Sequence, residues 1–127
     1  MTNPKELKYT KSHEWVKFID DTSAIIGLTD FAQNALGDLV YVELPEVDDE
    51  LKAGESFAEV ESVKAVSDVF SPVDAVISKV NDELADAPES INSNPYEAWI
   101  VEVKDISATE DFLSSQEYEE FCLSEGE

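Results

Sequence analysis

With 127 residues, 43% of them hydrophobic and 30% charged, the chain is long enough for one globular domain with its own core. Thirty Asp and Glu against eight Lys and no Arg give a formal charge of -22, which excludes the cationic surface that binding to nucleic acid needs. One cysteine excludes a disulfide framework and a cysteine-rich zinc site, and no apolar run is long enough for a membrane span or the core of a signal peptide.

The first part of the chain predicts short strands and one helix. Residues 7–9, 14–19 and 24–28 are rich in aromatic and β-branched side chains, and the last two segments are separated by polar residues that include Asp20, Asp21 and Thr22, which indicates a hairpin. Thr29 can cap a helix that ends at Leu36, because its hydroxyl accepts a free backbone N–H. Gly37 is the predicted left-handed stop of this helix.

The rest of the chain predicts more strands and a terminal helix. Residues 38–43, 57–61, 67–70, 75–80 and 98–103 are strand candidates that are too short for average helices. Ser114 and Glu117 fit a capping box, which predicts a helix over 115–122. We expect a single domain over residues 1–127, with a core at about 7–104 and a helical segment at about 105–123. That segment should dock by an apolar stripe made of Phe112, Leu113, Tyr118, Phe121 and Cys122.

A faint repeat lies inside the predicted core. Asp49-Glu50-Leu51 recurs 33 residues later as Asp82-Glu83-Leu84. The repeat indicates two related halves, each forming a sheet, packed face to face around one core. The fold class is therefore predicted to be mainly β, with two packed antiparallel sheets, short flanking helices and a C-terminal helix.

One segment between two strand candidates presents a lysine. The run Glu61-Ser62-Val63-Lys64-Ala65 contains neither Gly nor Pro, yet the chain must reverse there. A reversal at 62–65 places Lys64 at its tip. Because an exposed lysine is mostly protonated and a poor nucleophile at neutral pH, it suits an attachment point better than a catalyst. The same run also fits an ordinary solvated lysine in a turn.

Several short motifs extend this segment into a pattern over most of the chain. Their order and spacing, from about residue 7 to 122, resemble the H-protein family of the glycine cleavage system. Besides Glu61 to Ala65, the motifs are Ser12-His13-Glu14-Trp15, Gly27-Leu28-Thr29-Asp30, Leu36-Gly37-Asp38, Val42-Glu43-Leu44-Pro45-Glu46, Ser71-Pro72 and Asn94-Pro95-Tyr96.

The resemblance implies a lipoyl carrier rather than an enzyme. Its fold would be a lipoyl-domain-like barrel-sandwich hybrid, and a lipoate-attaching enzyme would link lipoate as an amide to Lys64. In this family the lipoyl group accepts an aminomethyl group from a pyridoxal-phosphate glycine decarboxylase and presents it to an aminomethyltransferase. A dihydrolipoyl dehydrogenase then reoxidises the carrier. We expect a monomer in the cytoplasm, or in the mitochondrial matrix for a processed eukaryotic form, without a nucleic-acid or membrane partner.

The resemblance also implies residues that line the resting place of the loaded arm. These are Ser12, His13, Glu14 and Asp68. Glu14 is a candidate to hold the amine of the cargo by a charge-assisted contact, and a solvated carboxylate is the alternative. Because one histidine makes a poor metal site and Trp15 is near, we expect His13 to have a packing or hydrogen-bonding role. No metal site and no catalytic residue are predicted.

The chain departs from the family at positions where glycine is usual. Asp48 and Asp74-Ala75 stand at such positions, and the segment before Trp99 lacks a glycine. If one of these positions has a positive φ, a β-carbon there costs about 1 kcal/mol. A lipoyl-relay paralogue or a redesigned carrier scaffold therefore remains an alternative. From another class, an unmodified acidic interaction module also fits the composition.

Overall fold

A computed structural model describes residues 4–125, which form short strands and four helices. The strands are β1 (Lys8–Tyr9), β2 (Glu14–Asp20), β3 (Ser23–Leu28), β4 (Leu39–Glu43), β5 (Glu50–Leu51), β6 (Ser56–Ser62), β7 (Val66–Phe70), β8 (Val73–Val80) and β9 (Val101–Thr109). The helices are α1 (Asp30–Leu36), α2 (Glu83–Asp86), α3 (Ser90–Ser93) and α4 (Ser115–Glu125). None of the helices in this described part is long and apolar enough to cross a membrane.

The strands form two antiparallel sheets. The larger has the order β1-β2-β3-β9-β8-β5 and the smaller has the order β4-β6-β7. Side chains from both sheets belong to one buried apolar cluster, for example Ile26 and Ile77 of the larger sheet and Val42 and Val60 of the smaller. This confirms a mainly β fold with two packed sheets, which do not close into a barrel within residues 4–125.

The sequence repeat does not correspond to a structural repeat. Glu50 and Leu51 form β5, whereas Glu83 and Leu84 begin α2. Leu51 and Leu84 are both buried, because a strand and a single helical turn can each point one leucine inward. The prediction of one sheet from each half is wrong, since the larger sheet combines β1, β2, β3 and β5 with β8 and β9.

Helix α1 has the predicted ends. The Thr29 hydroxyl accepts a hydrogen bond from Ala32 N at 3.2 Å, and Gly37 N donates to Gln33 O at 3.0 Å. Gly37 has the expected positive φ of 82°, but its ψ of -163° places it outside the left-handed helical region. This combination of angles is open essentially to glycine alone, so the chain leaves α1 in an extended course that other residues cannot follow.

Helix α4 docks on a second apolar cluster through most of the predicted stripe, whereas Phe112 packs against the main core instead. Its capping box is formed, because Glu117 N donates to Ser114 Oγ at 3.2 Å and Ser114 N donates to Glu117 Oε1 at 2.9 Å. The Tyr118 ring stacks on Tyr9 with centroids 4.7 Å apart. The helix continues to Glu125, beyond the predicted end at residue 122. The buried members of the cluster are Leu7, Tyr9, Trp15, Tyr118 and Cys122.

Candidate functional site

The turn between β6 and β7 is built by Ser62. Its backbone N–H donates to Ala65 O at 2.7 Å, which closes the turn. Its side-chain hydroxyl accepts from Lys64 N at 3.3 Å and from Ala65 N at 3.0 Å. A serine hydroxyl that bonds the backbone two and three residues on replaces the local geometry that Gly or Pro would supply. Ser62 is buried, so the turn has a fixed base under its exposed tip.

Lys64 is exposed at this tip. Its neighbours Val63 and Val66 are also exposed, at 71% and 59% of their surfaces. Val63 N donates to Asp38 O at 3.1 Å, which ties the turn to the segment that follows α1. The aliphatic stem of Lys64 passes close to Gly37, because a β-carbon added to Gly37 would lie only 3.3 Å from Lys64 Cε. The lysine is therefore accessible, with its stem lying against a glycine.

A cleft of about 180 Å³ lies beside α1 and is called here the α1 cleft. Leu36 lines it and is followed in the chain by Gly37, against which the stem of Lys64 lies. Most of its wall is apolar. The structure brings three predicted site residues together in this cleft, Ser12, His13 and Asp68; its other lining residues are Leu28, Phe31, Ala32, Ala35, Leu36, Val60 and Ser67.

Glu14, the fourth predicted site residue, is fully buried beside the cleft. Its Oε1 accepts from Thr10 Oγ1 at 2.7 Å and from Ser12 Oγ at 2.5 Å, and its Oε2 accepts from Phe70 N at 3.4 Å. Burial raises the pKa of the carboxyl to about 7, although these hydrogen bonds oppose the shift. The alternative of a solvated carboxylate is wrong, because Glu14 is 0% exposed.

His13 is held by aromatic side chains and one hydrogen bond. Its ring stacks on Phe31 with centroids 4.5 Å apart, and its Nδ1 lies 2.7 Å from the Tyr118 hydroxyl. That hydroxyl is also 2.6 Å from Thr29 Oγ1, so Tyr118 links the β1–β2 connection, the cap of α1 and helix α4. Trp15 belongs to the same apolar cluster as Tyr118, and its ring nitrogen donates to Pro95 O at 3.0 Å.

Three residues that support this site have no local signal in the sequence. Thr10 bonds Glu14, Tyr118 bonds His13, and Asn92 bonds the segment after α1. Tyr118 and His13 are 105 residues apart and Asn92 and Gly37 are 55 apart, so only the tertiary structure brings these two pairs together. Within residues 4–125, no group of three or more His, Cys, Asp or Glu side chains is arranged to hold a metal ion.

The fold and the turn define a class of small two-sheet β protein that presents a lysine at the exposed tip of a hairpin, beside a partly apolar cleft. Residues 7–125 match the family described as glycine cleavage H-protein. The chain belongs to this family, as the sequence motifs indicate.

Individual relatives agree with this assignment over almost the whole chain. The glycine cleavage system H protein of Lachnoclostridium phytofermentans is 59% identical over 123 residues, which is 97% of this chain and 97% of that protein. The H protein of Staphylococcus epidermidis is 53% identical over 123 residues, covering 94% of this chain and 97% of its own. The crystal structure of the H protein of Mycobacterium marinum superposes with a TM-score of 0.88 at 37% identity, over 98% of this chain and 100% of that chain.

Proposed function

We propose that this chain is the lipoyl-carrying shuttle of a glycine cleavage system and that Lys64 is the residue that carries lipoate. Membership of the H-protein family supports the shuttle role. The observation that carries the assignment to Lys64 is its exposure at the tip of a turn whose base is buried. An enzyme can reach such a lysine without unfolding the domain, and a fixed base confines the attached arm to a small volume.

The residues around Lys64 fit an amide-linked lipoyl group. Amide formation removes the lysine charge, and the stem already lies against Gly37 without a competing side chain. The α1 cleft beside it offers an apolar wall for hydrocarbon and polar groups at Ser12, His13 and Asp68 for the cargo. When bound, lipoate supplies the two-thiol redox couple that a chain with one cysteine lacks.

The chain's own residues would orient and protect the cargo. Ser12 lines the α1 cleft and donates to the buried Glu14 carboxyl, so a cationic amine bound at Ser12 is stabilised by a carboxylate behind it. His13 forms part of the wall and is fixed by Tyr118 and Phe31. In this proposal the protein recognises partners and excludes water, and the bonds are made by the separate enzymes.

The proposed partners are a pyridoxal-phosphate glycine decarboxylase, an aminomethyltransferase, a dihydrolipoyl dehydrogenase and a lipoate-attaching enzyme. The proposed state is a monomer in the cytoplasm, or in the mitochondrial matrix for a processed eukaryotic form. A charge of -22 favours encounters with partners that carry basic patches.

Incubation with lipoate ligase, ATP and lipoate tests the attachment. Intact mass and peptide mapping should show one lipoyl group, located on Lys64. A reaction that modifies a competent control carrier in the same tube but leaves this chain unmodified would support the acidic interaction module instead.

A coupled assay then tests the shuttle. Glycine-dependent formation of NADH by the decarboxylase, aminomethyltransferase and dehydrogenase should require the lipoylated chain. Lipoylation without NADH formation would support the relay paralogue or redesigned scaffold.

The proposed roles of Glu14 and Ser12 have their own test. Loaded carrier with Glu14→Ala or Ser12→Ala should release formaldehyde and ammonia faster than the unchanged carrier, and Asp20→Ala at the exposed end of β2 serves as control. Unchanged release in both variants would contradict these roles.

A further inference from the structure

Asn92, in the single-turn helix α3, uses its whole side-chain amide to hold the segment that follows α1. Its Nδ2 donates to Gly37 O at 2.9 Å and to Gln33 Oε1 at 3.0 Å. Its Oδ1 accepts from Leu39 N at 2.9 Å. Both amide hydrogens and the amide oxygen are therefore engaged, and all three partners lie in α1 or just after it.

The segment that Asn92 holds is also the one on which the lysine turn rests. Residues 37–39 are called here the lysine seat. Asp38 O accepts the N–H of Val63, the residue before Lys64, at 3.1 Å. Gly37 faces the stem of Lys64, with 3.3 Å between Lys64 Cε and the position of an added β-carbon. Asn92 thus bonds both ends of the seat, while the turn contacts its middle and its first residue.

Two features of the seat limit the course of the lysine stem. The positive φ and extended ψ of Gly37 turn its backbone into a shape that essentially only glycine adopts. The missing β-carbon leaves the space in which the stem lies. A side chain at this position would strain the seat and force the lysine stem to shift by a few tenths of an ångström.

We infer that Asn92 is a positioning residue for lipoate attachment: by clamping the lysine seat it sets the direction in which the Lys64 amine leaves the turn. The inference rests on the proposed function, because it concerns the same lysine. In the attachment step the deprotonated amine attacks the lipoyl carbonyl of lipoyl adenylate, which the ligase makes from ATP and lipoate. A C–N bond forms, the bond from that carbonyl to AMP breaks, and the proton of the amine passes to solvent.

Asn92→Ala and Asn81→Ala form a matched pair for the test. Asn81 also donates from Nδ2 to a backbone carbonyl, Trp99 O, at 2.8 Å, but it does not contact the lysine seat. Gly37→Ala and Gly54→Ala form a second pair, because both glycines have a positive φ and nothing lies within 4 Å of a β-carbon added to Gly54. Initial rates with lipoate ligase, ATP and lipoate are measured for each full-length chain as the acceptor substrate.

Asn92→Ala and Gly37→Ala should lower kcat for attachment by about tenfold, since misplacing a reacting group by an ångström can cost more than that. KM for the carrier should stay within about twofold, because the surface that meets the ligase is unchanged. Partial unfolding alone would act differently: it reduces the competent fraction of the substrate, which raises apparent KM and leaves kcat unchanged. In the free protein, the Val63 amide should exchange with solvent faster in Asn92→Ala than in Asn81→Ala.

The outcomes separate the two proposals. If the unchanged chain is lipoylated and both members of each pair have the same kcat, the positioning role of Asn92 is overturned and the proposed function stands. If the unchanged chain takes no lipoate on Lys64, the proposed function fails and this inference fails with it. Should Gly37→Ala not fold, the asparagine pair and the Val63 exchange decide the question.

Discussion

The turn that carries Lys64 and the buried site of Glu14 place a functional group in opposite ways. At the turn, the bonds that shape the reversal join residues two or three apart, and the lysine is exposed. At the buried site, Glu14 is inaccessible to solvent, and its partners include Phe70, which lies 56 residues away along the chain. An attachment point needs access, which a short local motif can provide. A carboxyl whose pKa is to be raised needs removal from water, which only the packed fold provides.

Lys64→Arg gives the largest expected effect and tests the exposed side of this comparison. Lipoate incorporation and glycine-dependent NADH formation should be abolished, because a guanidinium does not form the lipoyl amide. The unfolding free energy should change by less than about 0.5 kcal/mol, as for most exposed positions. Peptide mapping, the coupled assay and urea unfolding measure these effects. Lys79→Arg is the control, and incorporation that persists in Lys64→Arg would move the attachment to another residue.

Glu14→Gln tests the buried side through pH. Burial raises the pKa of the Glu14 carboxyl from 4.5 to about 7 in the folded protein, so its contribution to stability is full below pH 4.5 and is lost as pH rises through 7. The variant does not ionise. Urea unfolding between pH 4 and pH 8 should therefore show the variant gaining about 3 kcal/mol relative to the unchanged chain.

Glu117→Gln is the matched control for this pH series. Hydrogen bonds from Ser114 lower the pKa of Glu117, so its contribution is present above its ordinary pKa and is lost as pH falls. From pH 4 to pH 8 the control difference should therefore be small and of the opposite sign, because most of its change falls below the ordinary pKa of 4.5. If the difference in unfolding free energy between Glu14→Gln and the unchanged chain does not vary with pH, the raised pKa of Glu14 is contradicted.

Tyr118→Phe sharpens the comparison by removing one buried hydroxyl. It should cost about 2 kcal/mol of unfolding free energy, because His13 Nδ1 and Thr29 Oγ1 both lose a partner while the stack on Tyr9 remains. Chemical denaturation measures this, and the His13 ring resonances should shift. Tyr41→Phe, at an exposed tyrosine, should change stability by less than about 0.5 kcal/mol. Equal losses in the two variants would contradict the role of the Tyr118 hydroxyl.

Asp48→Gly gives the smallest expected effect and tests a turn away from both regions. Asp48 has a φ of 75°, so it is the departure from glycine that carries backbone strain. Relief of that strain, partly offset by the greater freedom of glycine in the unfolded chain, should raise the unfolding free energy by about 0.5 kcal/mol. Asp74→Gly should instead destabilise, because Asp74 lies in β8 and accepts from Ala53 N at 2.7 Å. Thermal unfolding of both variants measures whether Asp48→Gly stabilises the protein while Asp74→Gly destabilises it.

Most strands and both longer helices could be predicted from local pattern, because apolar alternation and caps act over a few residues. Strand β9 shows the limit of prediction from local pattern. Its prediction at 98–103 followed the apolar residues, whereas the strand runs over Val101–Thr109. Its polar second half, from Lys104, is strand because its backbone pairs with β8 and not because of its side chains. Helices α2 and α3 are single turns, which are too short for a periodic pattern to predict.

For the site, the sequence predicted the residues better than their surroundings. The lysine motif and the cleft residues Ser12, His13 and Asp68 were selected by resemblance, and three of them do meet in one cleft. The burial of Glu14 could not be predicted, since an isolated glutamate is usually exposed and one of its partners, Phe70, lies 56 residues away. The contact of His13 with Tyr118 likewise depends on the docking of a helix from the other end of the chain.

The strand order of the larger sheet also has a consequence for biosynthesis. In that sheet Ala24 of β3 pairs with Val103 of β9, so the early hairpin has no neighbour on that side until the ribosome has passed residue 103. Pairings between such distant segments form slowly. The hairpin with Lys64 is translated well before this point, but Asn92 follows it. A nascent chain can therefore display the lysine before the surface beneath it has been assembled.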